Sequence, residues 1–179
     1  LGTWTFERPW RDVPRPETDG QGNQYRPKQI QYNQTLTKII ADPDGGDGSP
    51  SEILLSAGKH SFTLRSVSGA VSVSEIRLRS VQQSLPYSMQ LAEWKSSGVK
   101  EASGEYVLEA EMAAAKSDQS ILLRNDRSSS LTSPYDPVKI IYNTIGGSSW
   151  SKSGQWLEWE VEAPETGLYR IALRYRQDQ

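Results

Sequence analysis

The sharpest alternation of apolar and polar positions lies in residues 154–175, where Leu157, Trp159 and Val161 alternate with Trp156, Glu158, Glu160 and Glu162. Side chains two apart share one face of a strand, so this pattern predicts a dry face and a wet face. Ala163-Pro164-Glu165-Thr166-Gly167 interrupts it with a proline that fixes φ and a glycine free to take a positive one. Tyr169, Ile171, Leu173 and Tyr175 then face away from Arg170, Arg174 and Arg176. The two runs predict an antiparallel hairpin, with Trp159 and Tyr169 in the core and Trp156 on the opposite face.

Elsewhere the pattern is more broken. Residues 1–29 are rich in Pro and Gly and read mainly as loop, with residues 2–6 a short strand candidate. Residues 30–40 alternate loosely and offer Tyr32, Leu36 and Ile39 or Ile40 to a core, before a hard turn over residues 41–48. Strands are expected at 53–55, at 60–65 with Phe62 and Leu64 on one face, and at 71–78. Turns at 56–59 and 67–69 separate them. The apolar phase slips between Val73 and Ile76, as a β-bulge near Ser74 and Glu75 would cause.

Residues 86–97 carry the one helical pattern, with Tyr87, Leu91 and Trp94 recurring on a face, Ser84 placed to cap the start and Gly98 placed to end it. Residues 105–111 and 138–142 read as further strands, 113–116 as either helix or loop, and 121–123 as a short apolar run. Residues 125–137 are polar loop, and Gly146-Gly147-Ser148-Ser149-Trp150 is a glycine-rich loop ending in an aromatic. Many short strands with regular turns predict a mainly β chain, a β-sandwich or jelly roll with one short helix.

Composition narrows the function classes. The 179 residues suit one domain or one and part of another, and six Trp with eight Tyr compensate for a hydrophobic content of 35%. A net charge of −2 offers no basic footprint for nucleic acid. No apolar run is long enough to span a bilayer, and no signal-peptide pattern opens the chain. With no cysteine, disulfides and thiolate chemistry are excluded. The chain starts at Leu1 rather than Met and stops soon after a strong strand, so an excised segment is expected.

Residues 54–66 (LLSAGKHSFTLRS) resemble the closing portion of carbohydrate-binding-module-like, galactose-binding-like jelly rolls. Residues 106–113 (YVLEAEMA) and 154–177 (GQWLEWEVEAPETGLYRIALRYRQ) resemble the opening portion of that fold. Residues 122–150 look like sequence from large bacterial extracellular solute-binding proteins of sugar ABC transporters, in which such sandwiches precede the receptor. The order, closing half before opening half, implies that residues 1–80 finish one sandwich, 81–104 form a helical linker and 105–179 begin a related one. A single sandwich with its strands in this order is the rival arrangement, and the two halves are able to pair into one body.

The resemblance implies a non-catalytic carbohydrate-binding accessory region, extracellular and held at the cell surface through a parent protein. Its partners would be poly- or oligosaccharide and neighbouring domains of the same chain. A ligand-free structural spacer, or an accessory module of a polysaccharide-acting enzyme, are the alternatives. No cofactor is expected. In such modules an EAE-like strand helps hold a structural calcium, which maps onto Glu109 and Glu111, with Glu75 as a doubtful counterpart of a closing-strand acid.

The candidate site rests on an aromatic in a flexible-looking loop. Sugar rings present C–H faces that stack on indole, and their hydroxyls need fixed amide, carboxylate or guanidinium partners. Trp150 supplies the ring; Tyr135, Asn143, Asn125, Asp126 and Arg127 lie on loops able to supply the polar groups. The competing reading is that Trp150 folds back to plug one end of the sandwich. His60, the only histidine, reads as a strand-edge hydrogen bonder, since no nucleophile elbow or second His accompanies it. The pairs Glu158 with Glu160 and Glu109 with Glu111 read as solvated strand faces rather than a glycosidase dyad. Asp42, Asp44 and Asp47 lack the spacing and terminal glutamate of a calcium loop and read as an acidic turn.

Overall fold

Pairing, more than strand length, organises this chain. The computed structural model describes residues 2–13, 16–41, 50–80 and 85–177; the acidic turn at 42–48 and the capping Ser84 fall outside them. Six short strands form among the described residues: β1 (Trp10–Val13), β2 (Lys28–Gln31), β3 (Ala115–Lys116), β4 (Leu123–Arg124), β5 (Thr144–Ile145) and β6 (Leu157–Glu158). The helix α1 spans Tyr87–Ser96. The fold is therefore mainly β, with small antiparallel sheets and one α-helix among the described residues. Among the described residues no helix is long and apolar enough to cross a membrane.

The chain divides into two units, Leu1–Phe6 with Thr35–Gln90 and Glu7–Gln34 with Leu91–Gln179. The second holds both sheets. Its four-stranded sheet runs β2-β1-β3-β6. Trp10 opposes Gln31 and Val13 opposes Lys28 in the β1–β2 ladder, and Ala115 opposes Glu158 in β3–β6. Residues 10–13, expected to be loop, are thus a central strand. The local sequence there is polar and flanked by prolines, and what recruits it is a long-range ion pair rather than an apolar face. Asp12 takes both of its oxygens to the Lys116 ammonium, at 2.9 and 2.8 Å, and Lys116 gives a third bond of 2.8 Å to the Ile121 carbonyl. Gln29 on β2 reaches that same carbonyl. Lys116 is 1% exposed.

The turn from β1 to β2 is closed by Asp19, whose carboxylate accepts from the backbone of Gln21 and Asn23 and from the Asn23 amide. Asn23 and Gln24 then hold the segment expected as a strand at 138–142. Ile140 N–H donates to Asn23 Oδ1, Tyr142 N–H donates to Gln24 Oε1, and Gln24 N–H donates to the Ile140 carbonyl. Side-chain amides replace part of a ladder here, so the segment is tethered without becoming a strand. Apolar burial is concentrated at Ala115, Ile121 and Leu123.

The expected hairpin of residues 154–175 does not close. Leu157 and Glu158 pair with β3, while Leu168 forms a parallel bridge to Glu101, its N–H donating to the Lys100 carbonyl at 2.9 Å. The turn is captured by residues 100–103. A Cβ on Gly167 would lie 2.9 Å from the Ala102 Cβ, so only glycine permits this approach. Glu165 accepts from the Ser103 N–H and hydroxyl. Further on, Arg174 donates to the Leu131 carbonyl and Arg176 pairs with Asp126. The second apolar face accordingly stays uncovered, Ile171 at 92% exposure, and Tyr169 is not a core residue. Trp159 is half-buried and donates to the Ala110 carbonyl. Residues 105–109 carry no strand among the described pairings and 110–112 form a 3-10 turn, so the strand expected over 105–111 does not form there.

In the first unit, Trp4 Nε1 donates to the Ala41 carbonyl, and Ala41 bridges Pro50. The turns expected at 56–59 and 67–69 are present, with Gly58 and Gly69 at positive φ. The strands expected between and after them form no ladder with any described residue, so neither the 71–78 ladder nor its bulge is seen among the described residues. Glu75 and Arg77, two residues apart, form an ion pair at 2.6 Å. Leu54 is 99% exposed. An alternating face needs a neighbouring strand and a second layer, and no described residue of this unit supplies them.

The helix matches its sequence pattern closely. Gly98, at φ 82°, donates to the Lys95 carbonyl, and Val99 donates to the Trp94 carbonyl. These are the two bonds of a Schellman ending. Leu91 is half-buried, and Trp94 remains exposed.

Candidate functional site

The β4–β5 ladder places the candidate residues in two groups at its opposite ends. Leu123 opposes Ile145 and Arg124 opposes Thr144. Beyond Thr144 lies Asn143, and beyond Ile145 lies the glycine loop that leads to Trp150. The ends are about three residue steps apart, roughly 10 Å.

At one end Asn143 is buried and fully satisfied. Its Oδ1 accepts the Asp126 N–H at 2.8 Å, and its Nδ2 donates to the carbonyls of Asp126 and Pro134. Asn125 Nδ2 donates to the Ile141 carbonyl at 2.6 Å. Asp126 accepts from the Ser128 N–H and hydroxyl and pairs with Arg176 at 2.9 Å; Arg176 also donates to Ser128. The Ser128 hydroxyl, then the Ser128 N–H and the Arg176 guanidinium, hold the Asp126 carboxyl below its ordinary pKa against the opposing effect of burial. Asn143, Asn125 and Asp126 are therefore brought together, and their bonds go to the 126–143 loop and, for Asp126, to Arg176 as well. Tyr135 and Arg127 are exposed on that loop, and the Arg127 charge contributes to lowering the Asp136 pKa, behind backbone hydrogen bonds from Lys139 and Val138.

At the other end Gly146, at φ 102°, turns the chain into a 3-10 turn over Gly147–Ser149. Ser149 pins this turn by donating to the Gly146 carbonyl at 2.7 Å and accepting the Leu122 N–H at 3.1 Å. The Trp150 ring then lies on Gly146: a Cβ there would be 3.1 Å from Trp150 Cε3. Trp150 Nε1 donates to the Gln155 carbonyl at 3.2 Å, and the side chain is 43% exposed. The indole is thus partly folded back, as the plug reading has it, and partly presented. Its orientation is fixed while much of its surface remains open.

Beside this loop lies a polar hollow of about 270 Å³ with Ser117, Asp118, Lys152 and Gln155 among its lining. Gln155 braces it, accepting from the N–H groups of Ser151 and Lys152 and donating to Ser120 Oγ. Sequence reading passed over these residues, although Asp118-Gln119-Ser120 and Ser151-Lys152-Ser153-Gly154 both carry turn chemistry. A second hollow, about 390 Å³, follows α1 and is lined by Gly98, Lys100, Glu101 and Glu165. It has no aromatic wall, and Glu165 is already engaged by Ser103.

For calcium, Glu109 and Glu111 are close enough for the Glu109 charge to act on Glu111, but burial is the main cause that raises the Glu111 pKa. Glu111 Oε2 is buried without a partner, while Glu109 Oε1 accepts from the Ser133 hydroxyl. Among the described residues no group of three or more His, Asp or Glu gathers that could hold a metal ion. Two carboxylates are only part of the roughly six to eight oxygens calcium takes. His60 shares a hydrogen bond with the Ser56 carbonyl at 2.8 Å.

Comparison with protein-family models, curated proteins and solved structures finds no match to this chain.

Proposed function

We propose that this chain is a non-catalytic carbohydrate-binding region, an accessory to an extracellular sugar-uptake receptor at a bacterial cell surface. The observation that carries the reading is Trp150: an indole packed on Gly146, hydrogen-bonded to the Gln155 carbonyl, and still 43% exposed. A ring held in one orientation loses little entropy when a sugar stacks on it. In the architecture proposed with this function, residues 1–80 and 105–179 are the closing and opening halves of jelly-roll sandwiches, joined by 81–104. The four-stranded antiparallel sheet supports a pairing between parts of the two segments, because β1 and β2 come from the first and β3 and β6 from the second.

The competing reading is a spacer that binds no ligand. The apolar faces ending in Leu54 and Ile171 favour it, since large exposed apolar surfaces commonly mark contacts with another domain. A glycan array probed with the full-length secreted protein separates the two. Retention on at least one plant or bacterial cell-wall glycan is expected; binding to none overturns the carbohydrate reading in favour of the spacer.

A further inference from the structure

The polar hollow next to Trp150 has the chemistry of a hydroxyl-recognition subsite. Three charged groups line it, Glu7, Asp118 and Lys152, and the last two are opposite in sign and incompletely used. Asp118 Oδ1 accepts the Ser120 N–H at 2.7 Å. A carboxylate offers about four acceptor positions, so capacity remains after the serine. The Lys152 ammonium makes no hydrogen bond or ion pair among the described residues, yet its charge contributes to lowering the Asp118 pKa, behind the Ser120 hydrogen bonds. An acceptor and a donor thus stand near one another with unfilled valences and no direct bridge between them.

The backbone around the pair is built, not loose. Ser117 and Trp156 exchange two bonds at the end of the β3–β6 ladder, Ser117 N–H to the Trp156 carbonyl at 3.0 Å and Trp156 N–H to Ser117 Oγ at 2.9 Å. Across the hollow, Gln155 ties down the N–H groups of Ser151 and Lys152 and accepts the Trp150 indole through its carbonyl. One residue therefore fixes both the wall that carries Lys152 and the aromatic next to it.

We infer that Asp118 and Lys152 form a subsite for vicinal hydroxyls of a neutral pyranoside oligosaccharide whose adjoining ring stacks on Trp150. The inference rests on the carbohydrate reading and deepens it. Asp118 accepts from two neighbouring hydroxyls, and Lys152 donates to a hydroxyl oxygen. A uronic-acid chain is disfavoured, because its carboxylates meet Asp118. In the 126–143 loop, by contrast, Asn143 and Asp126 are committed to hydrogen bonds and an ion pair within the protein.

The test is isothermal calorimetry of the full chain with cellotetraose, xylotetraose, mannotetraose and tetragalacturonate, using wild type, Asp118→Asn and Lys152→Met. Asn at 118 keeps an acceptor for the Ser120 N–H, and thermal melts confirm that each variant is folded. Wild type is expected to bind at least one neutral tetrasaccharide, with roughly tenfold weakening in Asp118→Asn, the loss of a hydrogen bond to a charged group. Amide shifts at residues 117–120 and 151–155 should move on titration. Neutral-glycan binding unchanged within twofold in both variants, with those amides still, overturns the subsite while leaving the carbohydrate reading standing. Tetragalacturonate bound more tightly than every neutral probe overturns the role given to Asp118. No binding by wild type to any probe, or to the wider glycan array, removes the carbohydrate reading and this inference with it.

Discussion

Lys116 shows how a single side chain holds a sheet together. Its ammonium uses all three donors, on the two oxygens of Asp12 and on the Ile121 carbonyl, in a site that is 1% exposed. Removing one partner of a buried pair leaves the other charge uncompensated, so Asp12→Ala should lower unfolding free energy by about 3–5 kcal/mol in urea titration. Replacing both by apolar residues of similar volume should cost much less. Asp126 gives a pH signature. Its folded pKa lies below the unfolded value of about 3.9, so its contribution is complete above that value and lost as pH falls through the folded pKa. Protection factors of the amides in residues 126–135, which remove the intrinsic pH dependence of exchange, should therefore be steady from neutrality to about pH 5 and fall below about pH 4. Asp126→Asn should remove the acid step. Glu109 and Glu111 offer too few oxygens for calcium, and the melting temperature should be the same in chelator and in millimolar calcium; a clear rise with calcium would show ligands beyond these two.

At the scale of elements, α1 and its ending are local, and Gly98 tests this. Alanine there must adopt a left-handed φ near 82°, at a cost of about 1 kcal/mol, so Gly98→Ala should reduce helical circular dichroism and speed exchange in residues 94–99. What was legible in the sequence follows the same division. Tyr87, Leu91, Trp94 and Gly98 spell the helix within a few residues, and Gly58 and Gly69 mark turns that form, because helices and turns are fixed by near neighbours. β1 was not legible, since Trp10-Arg11-Asp12-Val13 has no alternation and is recruited by Lys116, a hundred residues away in scale of sequence. The hairpin of 154–175 had the pattern but not the outcome: Gly167 settles against Ala102, Leu168 bridges Glu101, and β6 pairs with β3. At the candidate site, the loop bearing Trp150 could be read from Gly146 and Gly147, whereas the hollow at Asp118 and Lys152 arises only when the ends of β3 and β6 meet.

For the whole molecule, small antiparallel sheets and exposed apolar faces give a mainly β scaffold among the described residues, and the Trp150 indole on it is both oriented and 43% exposed. That indole has a built-in control. A Cβ on Gly146 would press on Trp150, and Gly146 also sits at positive φ, so Gly146→Ala should displace the ring and shift its fluorescence. Trp150→Ala removes the platform while leaving the Lys116–Asp12 pair and the β3–β6 ladder untouched. The decisive measurement is calorimetric titration of wild type and Trp150→Ala full chain with cellotetraose, xylotetraose and mannotetraose. The account predicts wild-type dissociation constants on the order of micromolar to millimolar, typical of stacking plus a few modest hydrogen bonds, and no measurable heat of binding for a folded Trp150→Ala. Trp150→Ala binding as well as wild type would contradict it.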